Sequence, residues 1–192
     1  GDSLHSAVKV NSAGEHAHIN YFRNPAVFID SSGHYAVTWS DTRTGQWNVY
    51  LQRFRKDGTK ISGNLRVSTD AEGQKGQPFI LTDSGNMYGI VWEHQGSDTG
   101  YYAQFFTDDW DRQGSNFRVT DIRGSVNWQQ AWDMDRQGRA VYVWEKGGDV
   151  FGQTFSANLV PRSDIFRING AAGAKQIRAS VQIENNNIHT VW

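Results

Sequence analysis

The sequence repeats itself, and the repeat restricts the fold more than any other feature. Each copy contains a short apolar run that closes on a tryptophan, and these tryptophans follow one another at intervals of 53, 52 and 48 residues: Trp39, Trp92, Trp144 and Trp192. Three of them precede a second run with a glutamine in register: Gln52, Gln104 and Gln153. Because these landmarks keep the same order and nearly the same spacing, the copies are expected to share one local structure.

Each copy reads as four short strands. Apolar residues alternate with a period of two rather than 3.6, which indicates strands and disfavours helices. Between the first two runs of successive copies stand "DSSG", "DSGN" and "DRQG", whose Asp, Asn and Gly residues suit tight hairpin turns. A four-stranded antiparallel unit repeated in tandem is typical of a β-propeller blade. The predicted fold is therefore an all-β propeller with three complete blades and parts of a fourth.

The predicted blades belong to one domain that covers residues 1–192. Three complete units are expected at 24–68, 77–120 and 129–169, with a partial blade formed by 179–192 and 4–11. The partial blade lacks its third strand, which leaves three alternatives open. The ring has four blades with one defective, the chain is a fragment of a larger propeller, or two chains form a homodimer that completes the ring.

Composition excludes several classes of partner. Lys and Arg number 19 against 20 Asp and Glu, without a basic block, which argues against nucleic acid and anionic membrane surfaces. The apolar runs are too short for a membrane span. The chain has no cysteine, which excludes disulfides and thiolate metal sites.

Two stretches resemble known propellers. "VTWSDTRTGQWNVYLQRFRKDG" (37–58) resembles the blades of secreted bacterial β-propellers, and "YFRNPAVFID" (21–30) is similar to the start of the first blade of sialidases. In sialidases the arginine of this motif clamps the sialic acid carboxylate, which implies that role for Arg23. The other sialidase features do not follow, because Ile61 stands where their aspartate boxes carry a tryptophan. The resemblance thus implies a secreted or surface-exposed, distantly sialidase-like propeller.

Arginines and loop residues supply the candidate ligand contacts. Arg23 and Arg178 precede the first strand of their copies, where a guanidinium would bind either a ligand carboxylate or sulfate or a neighbouring blade. Asp41 and Arg43 follow Trp39 and would form either a local ion pair or a ligand contact. The predicted ligand-binding residues are Arg23, Asp41, Arg43, Trp47, Trp128 and Arg178.

Four tryptophans fall outside the repeat register: Trp47, Trp110, Trp128 and Trp132. An exposed indole offers a flat apolar face on which a sugar ring packs, while neighbouring polar groups bind its hydroxyls. The alternative is that these indoles cap loops against the ends of the blades.

The evidence for metals is weak in this sequence. His16 and His18 would share one face of a strand, but no third ligand accompanies them. Asp108, Asp109 and Asp111 could bind calcium, although they lack the spacing and the glutamate of an EF-hand. No cofactor is predicted, and calcium is the ion that this acidic loop would take.

The predicted function is non-catalytic extracellular binding of a glycan or another extracellular polymer. Two alternatives stay open. The chain is a portion of a sialidase-like glycoside hydrolase or polysaccharide lyase, or it is a structural module that self-assembles through its unfinished edges. No catalytic residue is assigned.

Overall fold

The computed structural model describes residues 7–11, 25–69, 72–83, 87–121, 130–170, 179–184 and 187–192. Every secondary-structure element within these ranges is a β-strand, so the predicted all-β class is confirmed. Consistently, a search of the described residues for a helix long and apolar enough to cross a membrane finds none.

The described strands form four sheets. The first has the order β1 (Ala26–Ile29), β2 (Tyr35–Asp41), β3 (Asn48–Phe54), β4 (Lys60–Arg66). The second has the order β5 (Gln74–Thr82), β6 (Met87–Gln95), β7 (Gly100–Thr107), β8 (Arg112–Thr120). The third has the order β9 (Gln130–Met134), β10 (Ala140–Lys146), β11 (Asp149–Phe155), β12 (Phe166–Arg167). The fourth pairs β13 (Ser180–Glu184) with β14 (Asn187–Val191).

Strand registers make the first and third sheets directly comparable. Trp39 lies opposite Tyr50, and Tyr50 lies opposite Arg66 on β4. In the third sheet, Trp144 lies opposite Phe151, and Phe151 lies opposite Arg167 on β12. Tyr50 and Arg66 of the first sheet therefore correspond to Phe151 and Arg167 of the third by strand pairing as well as by sequence.

Aspartates of the repeat end the first strand of a unit by capping its hairpin. Asp30 accepts hydrogen bonds from the backbone N–H groups of Ser32 and His34 at 2.8 and 3.0 Å. Asp135 accepts the equivalent bonds from Gln137 and Arg139, both at 2.9 Å. These short polar side chains bind the turn amides, which explains why an aspartate recurs there.

A glycine stands three residues after each of these aspartates, because the turn needs a residue in the left-handed conformation. Gly33 and Gly138 have φ values of 84° and 76°, and each donates its N–H to the carbonyl of the capping aspartate, at 3.0 and 2.9 Å. A side chain is disfavoured at such φ values, whereas glycine adopts them without a steric penalty.

The chain divides into two compact units, residues 1–80 with 90–99 and residues 81–89 with 100–192. The first unit has a core that includes Trp39, Leu51 and Phe54. In the second unit, Val141, Val143 and Val150 of the third sheet pack against the C-terminal hairpin β13–β14 through Ala179 and Ile183. Burial of these apolar side chains is the main stabilising term of each unit.

The repeat tryptophans do not all have the same environment. Trp39, Trp92 and Trp144 are buried, whereas Trp192 is 47% exposed. Trp192 directly follows the two-stranded sheet, which covers less surface than the four-stranded sheets do. The expectation that the copies share one local structure therefore holds for the burial of three of the four repeat tryptophans.

Residues 7–11, which the sequence assigns to the partial blade with 179–192, are not in a strand. Val8 instead lies over the turn between β3 and β4, where a Cβ on Gly58 would come within 3.1 Å of a Val8 methyl carbon. The absence of a side chain at Gly58 leaves room for this contact. The second sheet also begins at Gln74, ahead of the expected position 77.

Candidate functional site

Three of the six predicted ligand-binding residues lie outside the described residues: Arg23, Trp128 and Arg178. His16 and His18 lie outside them as well. The other three, Asp41, Arg43 and Trp47, lie in the first sheet, at the end of β2 and in the connection to β3.

Asp41 and Arg43 form an internal ion pair. The fully buried Asp41 carboxylate accepts hydrogen bonds from the indole Nε1 of Trp39 at 2.9 Å and from the backbone N–H of Arg43 at 3.1 Å. Arg43 Nε lies 3.0 Å from both carboxylate oxygens, and its Nη2 also bonds to Asp41 Oδ2. The guanidinium carbon lies 3.9 Å from the ring centroid of Tyr50. The local bridge that the sequence offered as one alternative is therefore present.

A polar chain continues from this ion pair to the repeated glutamine. Arg43 Nη1 donates to Asn64 Oδ1 at 3.2 Å, and Asn64 Nδ2 donates to Gln52 Oε1 at 2.7 Å. Gln52 Nε2 donates to the carbonyls of Ile61 and Ser62 on β4 at 3.1 and 3.2 Å. Both ends of the buried amide are satisfied, as burial of a polar group requires.

The second repeat arranges its glutamine in the same way. Asn116 Nδ2 donates to Gln104 Oε1 at 2.7 Å, and Arg112 Nη1 donates to the same oxygen at 3.0 Å. Gln104 Nε2 donates to the carbonyls of Gln113 and Gly114 on β8 at 3.1 and 3.3 Å. The glutamine of the repeat thus ties its strand to the outer strand, and an asparagine twelve residues later supplies a donor to its oxygen.

The third repeat departs from this pattern at the donor. Twelve residues after Gln153 stands Ile165, which has no hydrogen-bonding side chain. Gln153 Nε2 donates to the carbonyl of Ser163 at 3.1 Å, which assigns the amide orientation. Gln153 is only 9% exposed, and its Oε1 atom is buried without a hydrogen-bond partner among the described residues.

The hairpin that carries Arg43 in the first repeat is also shorter in the third. Six residues, 42–47, join β2 to β3, whereas Gly147 and Gly148 alone join β10 to β11. Lys146 pairs with Asp149 as Asp41 pairs with Asn48, so a lysine replaces the aspartate that accepts from the tryptophan indole. The third repeat therefore lacks counterparts of both the Asp41–Arg43 pair and Asn64.

An open cavity of about 530 Å³ lies at this place in the third repeat. Its apolar lining includes Trp144 and Phe151, whose rings stack with centroids 6.1 Å apart, and Ile165, which is 52% exposed. Gln153 lies in the lining as well. The volume falls in the range of about 300–1,000 Å³ that is usual for small-molecule sites.

Charged residues also line this cavity: Asp121, Lys146 and Asp149. Asp149 Oδ1 accepts from Arg167 Nη2 at 2.7 Å and from Asn169 Nδ2 at 2.9 Å, which holds the carboxylate in place. The lining thus combines an aromatic ring, an exposed isoleucine and charged groups. We refer to this cavity, defined by Trp144, Phe151, Gln153, Ile165 and the three charged residues, as the third-repeat cavity.

The described tryptophans outside the repeat register differ in exposure. Trp47 is half-buried, and its carbonyl accepts from the backbone N–H of Lys75 at 3.2 Å. Trp110 stacks on Tyr88 with ring centroids 4.2 Å apart. This packing agrees with the alternative that its indole caps a loop rather than binding a ligand. Trp132 is buried in the core of the third sheet, so the expectation of an exposed indole is wrong there. A buried ring already packed on other aromatics offers no face to a ligand.

A second cavity, of about 450 Å³, lies where β9 faces the C-terminal hairpin, and Asp133, Gln182 and His189 line it. Asp133 Oδ2 accepts a hydrogen bond from the backbone N–H of Ile183 at 2.7 Å. Burial raises the pKa of Asp133 above its ordinary value, and this outweighs the opposing hydrogen bonds from Ile183 and Met134. Among the described lining residues Asp133 is the one carboxyl group, whereas most glycoside hydrolases use a pair.

The raised pKa of Asp133 gives a pH-dependent prediction. A carboxyl whose pKa is raised by folding favours the folded state below its ordinary value of 3.8 and loses that contribution as pH rises through the folded value. Asp133→Asn removes the buried charge and keeps an acceptor for Ile183. We expect the variant to melt at a higher temperature than the wild type at pH 7 and at the same temperature at pH 3, measured by circular dichroism.

Asp57→Asn is the matched control for this measurement. Hydrogen bonds from Thr59 lower the pKa of the exposed Asp57. The ionised Asp57 carboxylate therefore favours the folded state, whereas the ionised Asp133 carboxylate disfavours it. The control should therefore show no gain at pH 7. A lower melting temperature of Asp133→Asn at pH 7 would contradict the assignment of Asp133 as a carboxyl destabilised by burial.

The described residues contain no group of three or more His, Asp or Glu side chains placed to hold a metal ion. In the acidic loop, the backbone N–H of Asp109 binds Asp108 Oδ1 at 3.0 Å, and that of Asp111 binds the hydroxyl of Thr107 at 3.1 Å. Calcium binding by this loop stays a prediction.

No known protein family matches the sequence, and no curated protein does. Solved structures do resemble the fold. An endo-arabinase from Bacteroides thetaiotaomicron matches with a TM-score of 0.51 and 11% identity over 86% of this chain and 66% of its own. A glycosyl hydrolase from Bacteroides ovatus matches with a TM-score of 0.43 and 15% identity over 81% of this chain and 51% of its own. The chain thus spans about half to two thirds of the length of these structures, and the likeness concerns the fold alone.

Proposed function

We propose that the chain is a non-catalytic extracellular binding module that recognises a glycan, built as a β-propeller or part of one. The tandem repeat, the four-stranded antiparallel sheets and the burial of Trp39, Trp92 and Trp144 support the propeller arrangement. A location outside the cell follows from the ligand proposed, and the resemblance of the repeat to secreted bacterial propellers supports it.

The observation that carries the proposal is the third-repeat cavity. Sugar rings have apolar C–H faces that pack on aromatic side chains, and their hydroxyls bond to carboxylates, amides and ammonium groups. The half-buried Phe151 supplies the aromatic surface, and Asp121, Asp149 and Lys146 supply the charged groups. The similarity to an endo-arabinase agrees with a carbohydrate ligand as an analogy of fold.

A glycan array tests this function. We expect the purified chain to be retained on a subset of glycans, and Phe151→Ala to lower that retention by roughly tenfold because the ring supplies stacking surface. Phe151→Tyr is the matched control, since the first repeat carries Tyr50 at this register position and the ring is preserved. Retention on no glycan, with the melting temperature of the wild type intact, would overturn the proposal.

Trp47 is tested in the same experiment as a second contact. Its indole is half-buried and lies in the loop that the sequence marked for ligand binding. Retention of Trp47→Ala equal to the wild type would remove it from the site and leave the third-repeat cavity as the contact. The binding roles of Arg23, Trp128 and Arg178 stay predictions of the sequence.

Asp133 favours a second candidate, a portion of a glycoside hydrolase. Its carboxyl has a raised pKa beside an open cavity, which is a common property of catalytic acids. Release of reducing sugar from the retained glycans, lost in Asp133→Asn, would favour this candidate over pure binding.

A homodimer that completes the ring is also part of the proposal. Val27 and Ile29 on the edge strand β1 are 63% and 65% exposed, which is a high exposure for a pair of apolar side chains on one strand. Light scattering distinguishes the alternatives, because a mass of twice 21.7 kDa is expected for the dimer and 21.7 kDa for a monomer.

A further inference from the structure

We infer that Asp149 orients a neutral saccharide in the third-repeat cavity by accepting a hydrogen bond from one of its hydroxyl groups at Oδ2. This inference rests on the proposed glycan-binding function, and it specifies the ligand class and the residue that selects it. It is carried by a carboxylate that the sheet holds through one oxygen and leaves open at the other.

The first step is the state of the two carboxylate oxygens. Asp149 Oδ1 accepts from Arg167 Nη2 at 2.7 Å and from Asn169 Nδ2 at 2.9 Å. Oδ2 has no hydrogen-bond partner among the described residues, and it is not one of their buried polar atoms that lack a partner. The side chain is 25% exposed and lines the cavity, so Oδ2 is an accessible acceptor whose position is fixed before a ligand binds.

The second step is a comparison with the first repeat, where Asn48 stands at the register position of Asp149 and is 2% exposed. Its Oδ1 accepts from Arg66 Nη2 at 2.9 Å. Its Nδ2 donates to Thr44 Oγ1 and to the Gln46 carbonyl at 2.9 and 3.1 Å, inside the six-residue connection between β2 and β3. The third repeat keeps the arginine contact and lacks that connection, which leaves the second atom of the side chain open.

The third step is the apolar surface beside this oxygen. Phe151 follows Asp149 by two residues on β11, so both side chains lie on one face of the sheet, about 7 Å apart along the strand. Phe151 is half-buried, and the two-glycine hairpin has no counterpart of Arg43, which covers the Tyr50 ring in the first repeat. A sugar ring that packs on Phe151 therefore brings the hydroxyls at its rim to the carboxylate.

The fourth step is the charge around Asp149. Arg167 already forms an ion pair with this carboxylate, and Lys146 lies opposite it in the strand register. The ammonium group of an amino sugar would meet these two cations, and the carboxylate of a uronic acid would meet Asp149 and Asp121. A hydroxyl group donates to Oδ2 without either repulsion. The lining thus favours a neutral ring.

The variant Asp149→Asn tests this inference with the residue that the first repeat carries at this position. The amide oxygen keeps the acceptor for Arg167 and Asn169, while the NH₂ group turns the open acceptor into a donor. We expect the affinity for the neutral glycosides retained on the array to fall by roughly tenfold or more, because a hydrogen bond to a charged acceptor is lost. Titration calorimetry measures the affinity.

Asp57→Asn is the matched control, since it removes the same charge from an exposed turn outside the cavity and should keep wild-type affinity. Unchanged affinity of a folded Asp149→Asn variant would overturn the inference. If Phe151→Ala lowers retention while Asp149→Asn does not, glycan binding stands and the role of Asp149 falls.

A ligand-side titration of the wild type covers the case in which Asp149→Asn fails to fold. The probes are methyl glycosides of neutral pentoses and hexoses, their monodeoxy analogues, and the matching uronic acids and amino sugars. We expect the loss of one particular hydroxyl to weaken binding by roughly tenfold or more, and neither charged series to bind more tightly than its neutral parent.

The outcomes of this titration separate the two proposals. Equal affinity of all the monodeoxy analogues would overturn the inference, as would tighter binding of the uronic acids or the amino sugars, and glycan binding would stand in both cases. Binding of none of these sugars, together with retention on no glycan of the array, would overturn the inference and the proposed function together.

Discussion

Replacement of Asp41 by alanine is expected to lower the free energy of unfolding by about 3–5 kcal/mol, the cost of breaking a buried ion pair from one side. The variant would leave the guanidinium of Arg43 over the Tyr50 ring without its carboxylate, and Trp39 Nε1 without the acceptor at 2.9 Å. Urea denaturation followed by tryptophan fluorescence measures the loss. A decrease below about 1 kcal/mol, the range of surface pairs, would contradict the assignment of this pair to the folded core.

The double variant Asp41→Ala/Arg43→Ala separates the charge from the packing. Removing both partners leaves no unpaired charge, so the double variant should be more stable than Asp41→Ala alone. A double variant that loses the sum of two independent effects would show that the pair is not coupled. Asp57→Ala, at an exposed turn of the same sheet, is the control for a surface aspartate and should cost far less.

Trp132→Ala is the second large effect, with an expected loss of about 3–5 kcal/mol for truncation of a buried aromatic. The indole stacks on Tyr142 with centroids 4.6 Å apart, lies 5.1 Å from Phe155 and meets Tyr101 edge-on at 5.8 Å. Truncation would open a cavity at the point where these rings meet. Thermal and urea unfolding of the isolated chain measure the loss.

Trp132→Phe is the control that isolates the ring from the indole N–H. It keeps an aromatic in the stack and removes Nε1, a buried donor that has no hydrogen-bond partner among the described residues. Its cost should therefore be well below that of Trp132→Ala. A similar loss for both variants would mean that the exact indole shape, rather than ring burial, stabilises this core.

The two repeats that keep their asparagine and the one that does not differ in how well the repeated glutamine is hydrogen-bonded. Asn64 and Asn116 stabilise their sheets by satisfying a glutamine, while Ile165 leaves Gln153 Oε1 unbonded at some cost to the fold.

The residue difference that distinguishes the third repeat is present in the sequence. Comparison of Asn64, Asn116 and Ile165 at one spacing from the repeated glutamines would have marked the third repeat. The predicted site consists of residues that are present, such as Asp41 and Arg43, whereas the third repeat is distinguished by residues that are absent. Without coordinates, nothing indicated that the asparagine bonds to the glutamine or that Arg43 covers a ring.

Local structure, by contrast, could be predicted from the sequence alone. Strand alternation, the Asp30 and Asp135 caps and the left-handed Gly33 and Gly138 each depend on residues within four positions of one another, so local pattern was enough to predict them. The predictions of side-chain exposure were wrong where long-range packing determines which residues are buried. Trp132 reads as an exposed indole and is buried, while Trp192 matches the repeat and lies half in solvent.

The sequence by itself therefore determined the repeating four-stranded unit and its turns, because period and turn chemistry are properties of neighbouring residues. Only the tertiary structure decided which buried polar groups find hydrogen-bond partners, since this depends on side chains from different strands. Asp41, predicted to form either a local ion pair or a ligand contact, is held inside its own sheet. Gln153, which the sequence places in register with two other glutamines, lacks the asparagine donor that they have.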